Sequence, residues 1–319
     1  MKKRLPITIS IILLLILLAA TVIASLSVGV ADISLEQLLH SPILWKLRMP
    51  RVLLAATAGA ALATSGAVYQ SVFRNPLTDP YVLGISSGAS LGAALAILLG
   101  LEAYLVGVGA AALTTALLTM LLLFKTSTRT NRIDTNTLLL TGVCMTFLIT
   151  AVISLLMALR HDKMESIIFW TMGSFSSASW LDLAILLPVT MLCLVPVLYH
   201  RKDLNLLLTG AETAQSLGLD VEKVRRRLLI TTTLMVAFTV SACGVIGFVG
   251  LVVPHVVRLV AGTDNRRLIP LTILTGAIFL LLCDTLARIL IPPNELPVGS
   301  ITSLIGAPMF IYLLHKNHR

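Results

Sequence analysis

The feature that most constrains this chain is a succession of apolar stretches of nearly constant length. Ile7 to Gly29, Val52 to Phe73, Val82 to Leu101, Ala103 to Phe124, Thr137 to Leu159, Leu181 to Tyr199, Leu268 to Ile291 and Val298 to Leu314 each approach the roughly 20 residues that a helix needs to cross about 30 Å of hydrocarbon. With 57% hydrophobic and only 12% charged residues, the chain lacks the polar surface of a soluble globule, in which about a quarter of residues are charged. Lipid is therefore its solvent. Backbone groups in lipid must be satisfied within each segment, and no alternating β-barrel pattern occurs, so the expected class is all-α integral membrane. The leading Met1-Lys2-Lys3-Arg4 has the charge order of a signal peptide, but its apolar run exceeds a signal core and reads as a retained first span.

A ninth stretch, Leu228 to Ala261, is too long for one crossing and short for two, and is broken by Gly244, Gly247, Gly250 and Pro254. Charge decides the count. Arg225, Arg226 and Arg227 precede it and Arg266 and Arg267 follow it; only two crossings keep both clusters in the cytoplasm. That gives about ten transmembrane helices, both termini cytoplasmic, in a single membrane domain over 1–319 with a cytoplasmic segment at about 204–227. Arg48, Arg51 and Arg288 then remain outside, against the positive-inside bias. Positive charge between spans reports topology, so the net charge of +9 implies no nucleic-acid partner.

No Gly-Lys pair exists for a phosphate-binding loop and no H-E-x-x-H is present, so an enzyme is not expected and any ATPase must be a partner. No carboxylate lies mid-span, because Asp182, Asp284 and Glu295 fall near predicted ends; this disfavours a proton-coupled secondary transporter, which remains the alternative. Asp284 and Arg288 are four apart and suited to pair on one helix. The four cysteines and six histidines are scattered without ligand spacing, so no metal, haem or other cofactor is expected on this chain. Gly84, Gly88 and Gly92, like Gly59, Ala63, Gly66 and Ala67, form smooth stripes for close helix approach. Arg74-Asn75-Pro76-Leu77-Thr78-Asp79-Pro80 makes a doubly proline-broken turn. Between the sixth and seventh spans, Gly210 to Gly218 and Asp220 to Arg227 read as a short, water-exposed helix pair separated by a glycine cap.

Taken in order, Arg48-Met-Pro-Arg51, Arg74-Asn-Pro-Leu-Thr-Asp-Pro80, Gly84-Ile-Ser-Ser-Gly88-Ala, Phe169-Trp-Thr-Met-Gly-Ser-Phe175, Gly247-Phe-Val-Gly-Leu-Val-Val-Pro-His-Val-Val-Arg258 and Glu295-Leu-Pro-Val-Gly299 resemble the FecCD-type permeases, which import iron-siderophore, haem and cobalamin. The resemblance runs from about Arg48 to the C-terminus and implies a BtuC-like permease bundle in a bacterial plasma (inner) membrane. It also implies a homodimer, or occasionally a pair of related subunits, with two cytoplasmic ATP-binding-cassette ATPase subunits and one extracytoplasmic substrate-binding protein, ATP and magnesium acting on the ATPase. By the same resemblance Gly210, Glu212, Ala214, Leu217 and Gly218 couple to the ATPase. Asn75, Leu77, Thr135 and Asn136 form the inner gate, and Arg48, Arg51 and Arg288 pair with acids of the binding protein.

Overall fold

The computed structural model describes residues 6–28, 41–101, 107–129, 132–291 and 293–317. Lys2, Lys3 and Arg4 of the leading basic segment lie outside them. Seven helices are long and apolar enough to cross a membrane, and three shorter apolar ones bring the described set to ten. The long ones are α1 (Ile7–Ser27), α2 (Met49–Val72, entered through a π turn at Leu44–Arg48), α4 (Gly107–Ser127), α5 (Thr135–Leu159), α7 (Trp180–Tyr199), α10 (Val221–Cys243) and α12 (Asn265–Ile289). The shorter ones are α3 (Ile85–Leu98), α11 (Val249–Ala261) and α13 (Val298–Asn317). Three small helices complete the set: α6 (Met164–Thr171), α8 (Arg201–Leu208) and α9 (Ala211–Ser216).

The long stretch Leu228 to Ala261 divides as charge parity requires, but unequally. The first crossing begins at Val221, so Arg225 to Arg227 sit in its opening turns, and the second is the 13-residue α11. Between them Gly244 (φ +71) and Phe248 (φ +66) take left-handed backbone, which for phenylalanine is uncommon. The third span is likewise shorter than expected, because Pro80–Leu83 forms a separate 3₁₀ turn before Gly84 (φ +74) opens α3. One departure from an all-helical chain is a two-residue antiparallel pairing, Thr128–Arg129 with Arg132–Ile133, between α4 and α5.

The helix α2 is the centre of the bundle, buried along almost its whole length. Its small residues make this possible. A methyl group on Gly59 would overlap the Gly276 carbonyl of α12, and one on Gly66 would overlap the Gly250 carbonyl of α11, so these helices meet backbone to backbone. The Gly88 and Gly92 stripe is used the same way, packing against Thr119 and Thr115 of α4. In contrast α1 and α5 bury few residues and present Leu13, Ile16, Phe147 and Leu155 outward, as a lipid-facing or partner-facing helix does.

Candidate functional site

Two ends of the bundle carry the residues singled out in the sequence. At the end where α2 begins, Arg51 is held by two carboxylates. Its Nε donates to Asp284 Oδ1 at 3.1 Å and its Nη2 to the same oxygen at 2.9 Å, while Nη1 donates to Glu295 Oε1 and Oε2 at 2.9 and 2.8 Å. Arg288, one turn beyond Asp284 on α12, lies 3.3 Å from its Oδ2 and donates to the Ser25 and Val28 carbonyls of α1. Arg48 donates to the Leu26 carbonyl at 2.7 Å. The three arginines are thus brought together with Asp284 and Glu295 into one network that ties α1, α2, α12 and the approach to α13. The expected docking of these arginines to a binding protein therefore stands beside a second role, that of joining helices within the chain. All three are buried, and each donates to acceptors of this chain.

At the opposite end, α8 and α9 form an arm between α7 and α10. Leu204 and Leu207 turn inward from α8, and Asn205 clamps the arm by donating to Asp264 Oδ1 at 2.7 Å and accepting from the Asn265 N–H at 2.8 Å. The Arg266 backbone N–H and this Asn205 amide hold the Asp264 carboxyl below the usual range. Gly210 (φ +115) and Gly218 (φ +87) bound α9 with backbone that only glycine takes readily. Of the expected helix pair, Gly210 to Gly218 is α9, whereas Asp220 to Arg227 is the start of α10, capped by Asp220; the short helix that pairs with α9 is α8.

Within the arm the expected contact residues separate. Leu217 is 63% exposed and Glu212 is exposed, whereas Ala214 is fully buried within the chain. Ala214 is thus covered by its own chain, and Glu212 and Leu217 form the open face of the arm.

The expected gate residues also lie at this end. Asn75 accepts from the Leu77 N–H at 2.9 Å, shaping a turn that leaves Leu77 exposed. Asp134 caps α5 by accepting from the Asn136 N–H and the Thr137 hydroxyl, and these bonds, the hydroxyl's first, keep its carboxyl below the ordinary value. No hydrogen bond joins the Asn75–Leu77 turn to Thr135 or Asn136 among the described residues. The two segments meet deeper, where Gly142 of α5 abuts Val82 and Leu83.

Two residues escaped the sequence reading. Tyr81 Oη donates to the Ile246 carbonyl at 2.9 Å and accepts from the Ile246 N–H at 3.1 Å, satisfying the backbone at the break between α10 and α11. Gln70 donates to the Gly250 carbonyl and accepts from Arg258 Nη2 at 2.9 Å. A lone amide inside an otherwise apolar span is the signal that marked Gln70.

The described residues contain no cluster of three or more metal-ligating side chains. What the arrangement offers is a closely packed helical body with a short two-helix arm at one end. The FecCD transport family model matches residues 13–316, nearly the whole chain.

The chain belongs to the FecCD transport family.

Among relatives of this FecCD chain, the cobalamin import system permease BtuC of Halobacterium salinarum is 44% identical over 268 residues, covering 84% of this chain and 72% of that protein. The hemin transport system permease HmuU of Yersinia pestis is 38% identical over 319 residues, covering 94% and 93%. The ABC transporter permease YvrB of Bacillus subtilis is 41% identical over 285 residues, covering 88% and 81%. A solved structure described as a metal-chelate type ABC transporter in an inward-facing conformation superposes with a TM-score of 0.88 at 34% identity, covering 98% of this chain and all of that one. PsaBC of Streptococcus pneumoniae, at 18% identity and a TM-score of 0.56, shares the fold. This FecCD chain is accordingly a multi-pass membrane permease component of an ABC importer of the metal-chelate class. It is a transport subunit and not an enzyme, ATP hydrolysis belonging to a separate subunit. Nothing in these likenesses favours proton coupling.

Proposed function

We propose that two copies of this chain form the pathway of an inner-membrane importer that takes a metal chelate from an extracytoplasmic binding protein and releases it into the cytoplasm. The relatives' names point to cobalamin or haem, and iron-siderophores belong to the same class of large planar or caged chelates. Both termini and the α8–α9 arm face the cytoplasm in this reading, where two ATPase subunits dock on the arm. The single observation that carries it is that arm: a segment with Leu217 and Glu212 exposed, clamped through Asn205 to the start of α12, so that a push on it reaches the bundle core.

ATP and magnesium act on the ATPase alone, and this chain holds no cofactor. ATP-driven closure of the ATPase pair moves the two arms, and the permease halves rock to alternate access. The Asn75–Leu77 turn and the Thr135–Asn136 helix start form the inner gate. Affinity for the chelate resides in the binding protein, because a tight site in the membrane slows release. The test is reconstitution in liposomes with the cognate ATPase and binding protein, followed by uptake of labelled cobalamin, haem and ferric siderophore. ATP-dependent uptake of one of them is the expected result. Uphill uptake by this chain alone under a pH gradient would overturn the reading.

A further inference from the structure

Between the last turn of α2, the end of α8 and the loop joining α11 to α12 lies a cavity of about 160 Å³, whose polar lining includes Gln70, Arg74, Arg258 and Asn265. No carboxylate is among its lining residues. The amide of Gln70 is consumed, its nitrogen by the Gly250 carbonyl and its oxygen by Arg258. Asn265 is fully buried; its Oδ1 faces Ser71 Oγ at 3.5 Å, and its Nδ2 has no hydrogen-bond partner. Arg74 sits in left-handed backbone at φ +51, uncommon for a residue with a side chain. Its Nη1 comes within 3.5 Å of where a Cβ on Gly210 would lie, at the start of α9. The neighbouring carboxylate of Asp264 is turned away, accepting from Asn205 and the Arg266 N–H.

A recess with two guanidinium groups and a buried amide donor lacks a counter-charge. Leaving a buried donor unmade costs free energy. Water would satisfy the amide but not the two like charges, whereas an oxyanion does both, and guanidinium forks match it in geometry. At about 30 Å³ per water the cavity has room for roughly five, the size of a carboxylate with its methylene and some solvent. The occupant follows from what shares the walls. Leu208 lines the cavity and Gly210 lies beside the Arg74 guanidinium, and both belong to the arm.

We propose that this pocket receives an Asp or Glu side chain of the ATPase subunit, a proposal that rests on the arm being that subunit's docking site. The partner would then grip the arm and the gate turn together, since Arg74 immediately precedes Asn75.

The test measures binding of the purified ATPase to the full-length permease in nanodiscs at low and physiological salt. Arg74→Gln is chosen first because Arg74 is exposed and the change leaves packing alone; Asn265→Leu probes the buried donor. The expected result is a tenfold or greater loss of affinity at low salt for Arg74→Gln, with a shallower salt dependence, while Lys223→Gln, a basic residue outside the cavity, shows little change. Leu217→Arg separates the two readings. Loss of binding with Leu217→Arg but wild-type affinity and salt slope with both pocket variants would overturn the pocket and keep the arm. No binding by the wild-type chain would overturn the arm itself. Inorganic phosphate that stabilises the wild-type chain without competing with the ATPase would show a free-anion site and overturn the proposal.

Discussion

Replacing Arg51 with Met tests whether the arginines at the start of α2 hold the bundle or meet a partner. Methionine roughly matches the stem in volume and removes the charge. Arg51 is 10% exposed at its side chain, Asp284 is fully buried and Glu295 is 31% exposed. Glu295, once released, returns to water at little cost. Asp284 cannot. It loses its bonds at 2.9, 3.1 and 3.2 Å and keeps Arg288 at 3.3 Å. Breaking a buried pair by removing one partner costs about 3–5 kcal/mol, and the surviving Arg288 contact places this case near the lower bound, at about 3 kcal/mol. Asp284→Asn in the Arg51→Met background removes the orphaned charge and should recover at least about 1 kcal/mol of that loss, a coupling of the size found for contacting residues. The assay is reversible unfolding or steric trapping in bicelles for the two single variants and the double, with capture of the binding protein measured in parallel. Wild-type stability in Arg51→Met together with lost capture would refute the structural account and return Arg51 to the docking surface.

The remaining predictions use smaller perturbations. Gly66→Ala drives a methyl into the Gly250 carbonyl and should cost at least about 1–3 kcal/mol as overpacking, whereas Gly247→Ala, with no atom within 4 Å of the added carbon, should leave thermal stability in detergent unchanged. Leu217→Arg should fold normally and lose the ATPase, while Ala214→Arg should fail to accumulate in the membrane, because it buries an unpaired charge at a fully buried position. Tyr81→Phe strips both partners from the Ile246 backbone and should cost about 1–3 kcal/mol for each group left unsatisfied, read as faster amide exchange at Ile246. Asp264 has a folded pKa below its unfolded value of about 3.9, so its capping contribution is present at neutral pH and lost as pH falls through the folded value. Asp264→Ala should therefore cost about 1 kcal/mol at pH 7, and the gap to wild type should close as pH falls through that lowered value.

Much of this architecture was legible in the apolar spacing and in charge parity. The count of ten helices came from Arg225–Arg227 and Arg266–Arg267 flanking a stretch of ambiguous length, and the glycine stripes anticipated the contacts of Gly66, Gly88 and Gly92. The destination of the outer arginines was not legible. A span end that carries a cation against the positive-inside bias signals a requirement for charge there, but not whether the counter-charge lies on another chain or on α12. Asp284 was read as a partner for Arg288, one turn away, since helical spacing shows such pairs. Its bond to Arg51 joins positions far apart in sequence and follows only from the close approach of α2 to α12. The inward turn of Ala214 was hidden for a related reason: six residues of α9 are too few for a periodicity to reveal which face is buried.

The same close approaches limit what can move. Side chains at an ordinary helix interface have room to change rotamer and let helices slide, but Gly59 against Gly276 and Gly66 against Gly250 are contacts of backbone on backbone, with nothing between them to repack. At the far end of α2 the Arg51 network fixes α1 and α12, and at the near end Gln70 and Arg258 fix α11. The helices α1, α2, α11 and α12 therefore form one body, to which Asn205 joins the arm. A displacement of α8 and α9 cannot be absorbed within that body and must appear at its boundary. That boundary includes the loosely buried α5, which meets the rest near Gly84 and Gly142, and the break at Gly244–Phe248 with its left-handed residues.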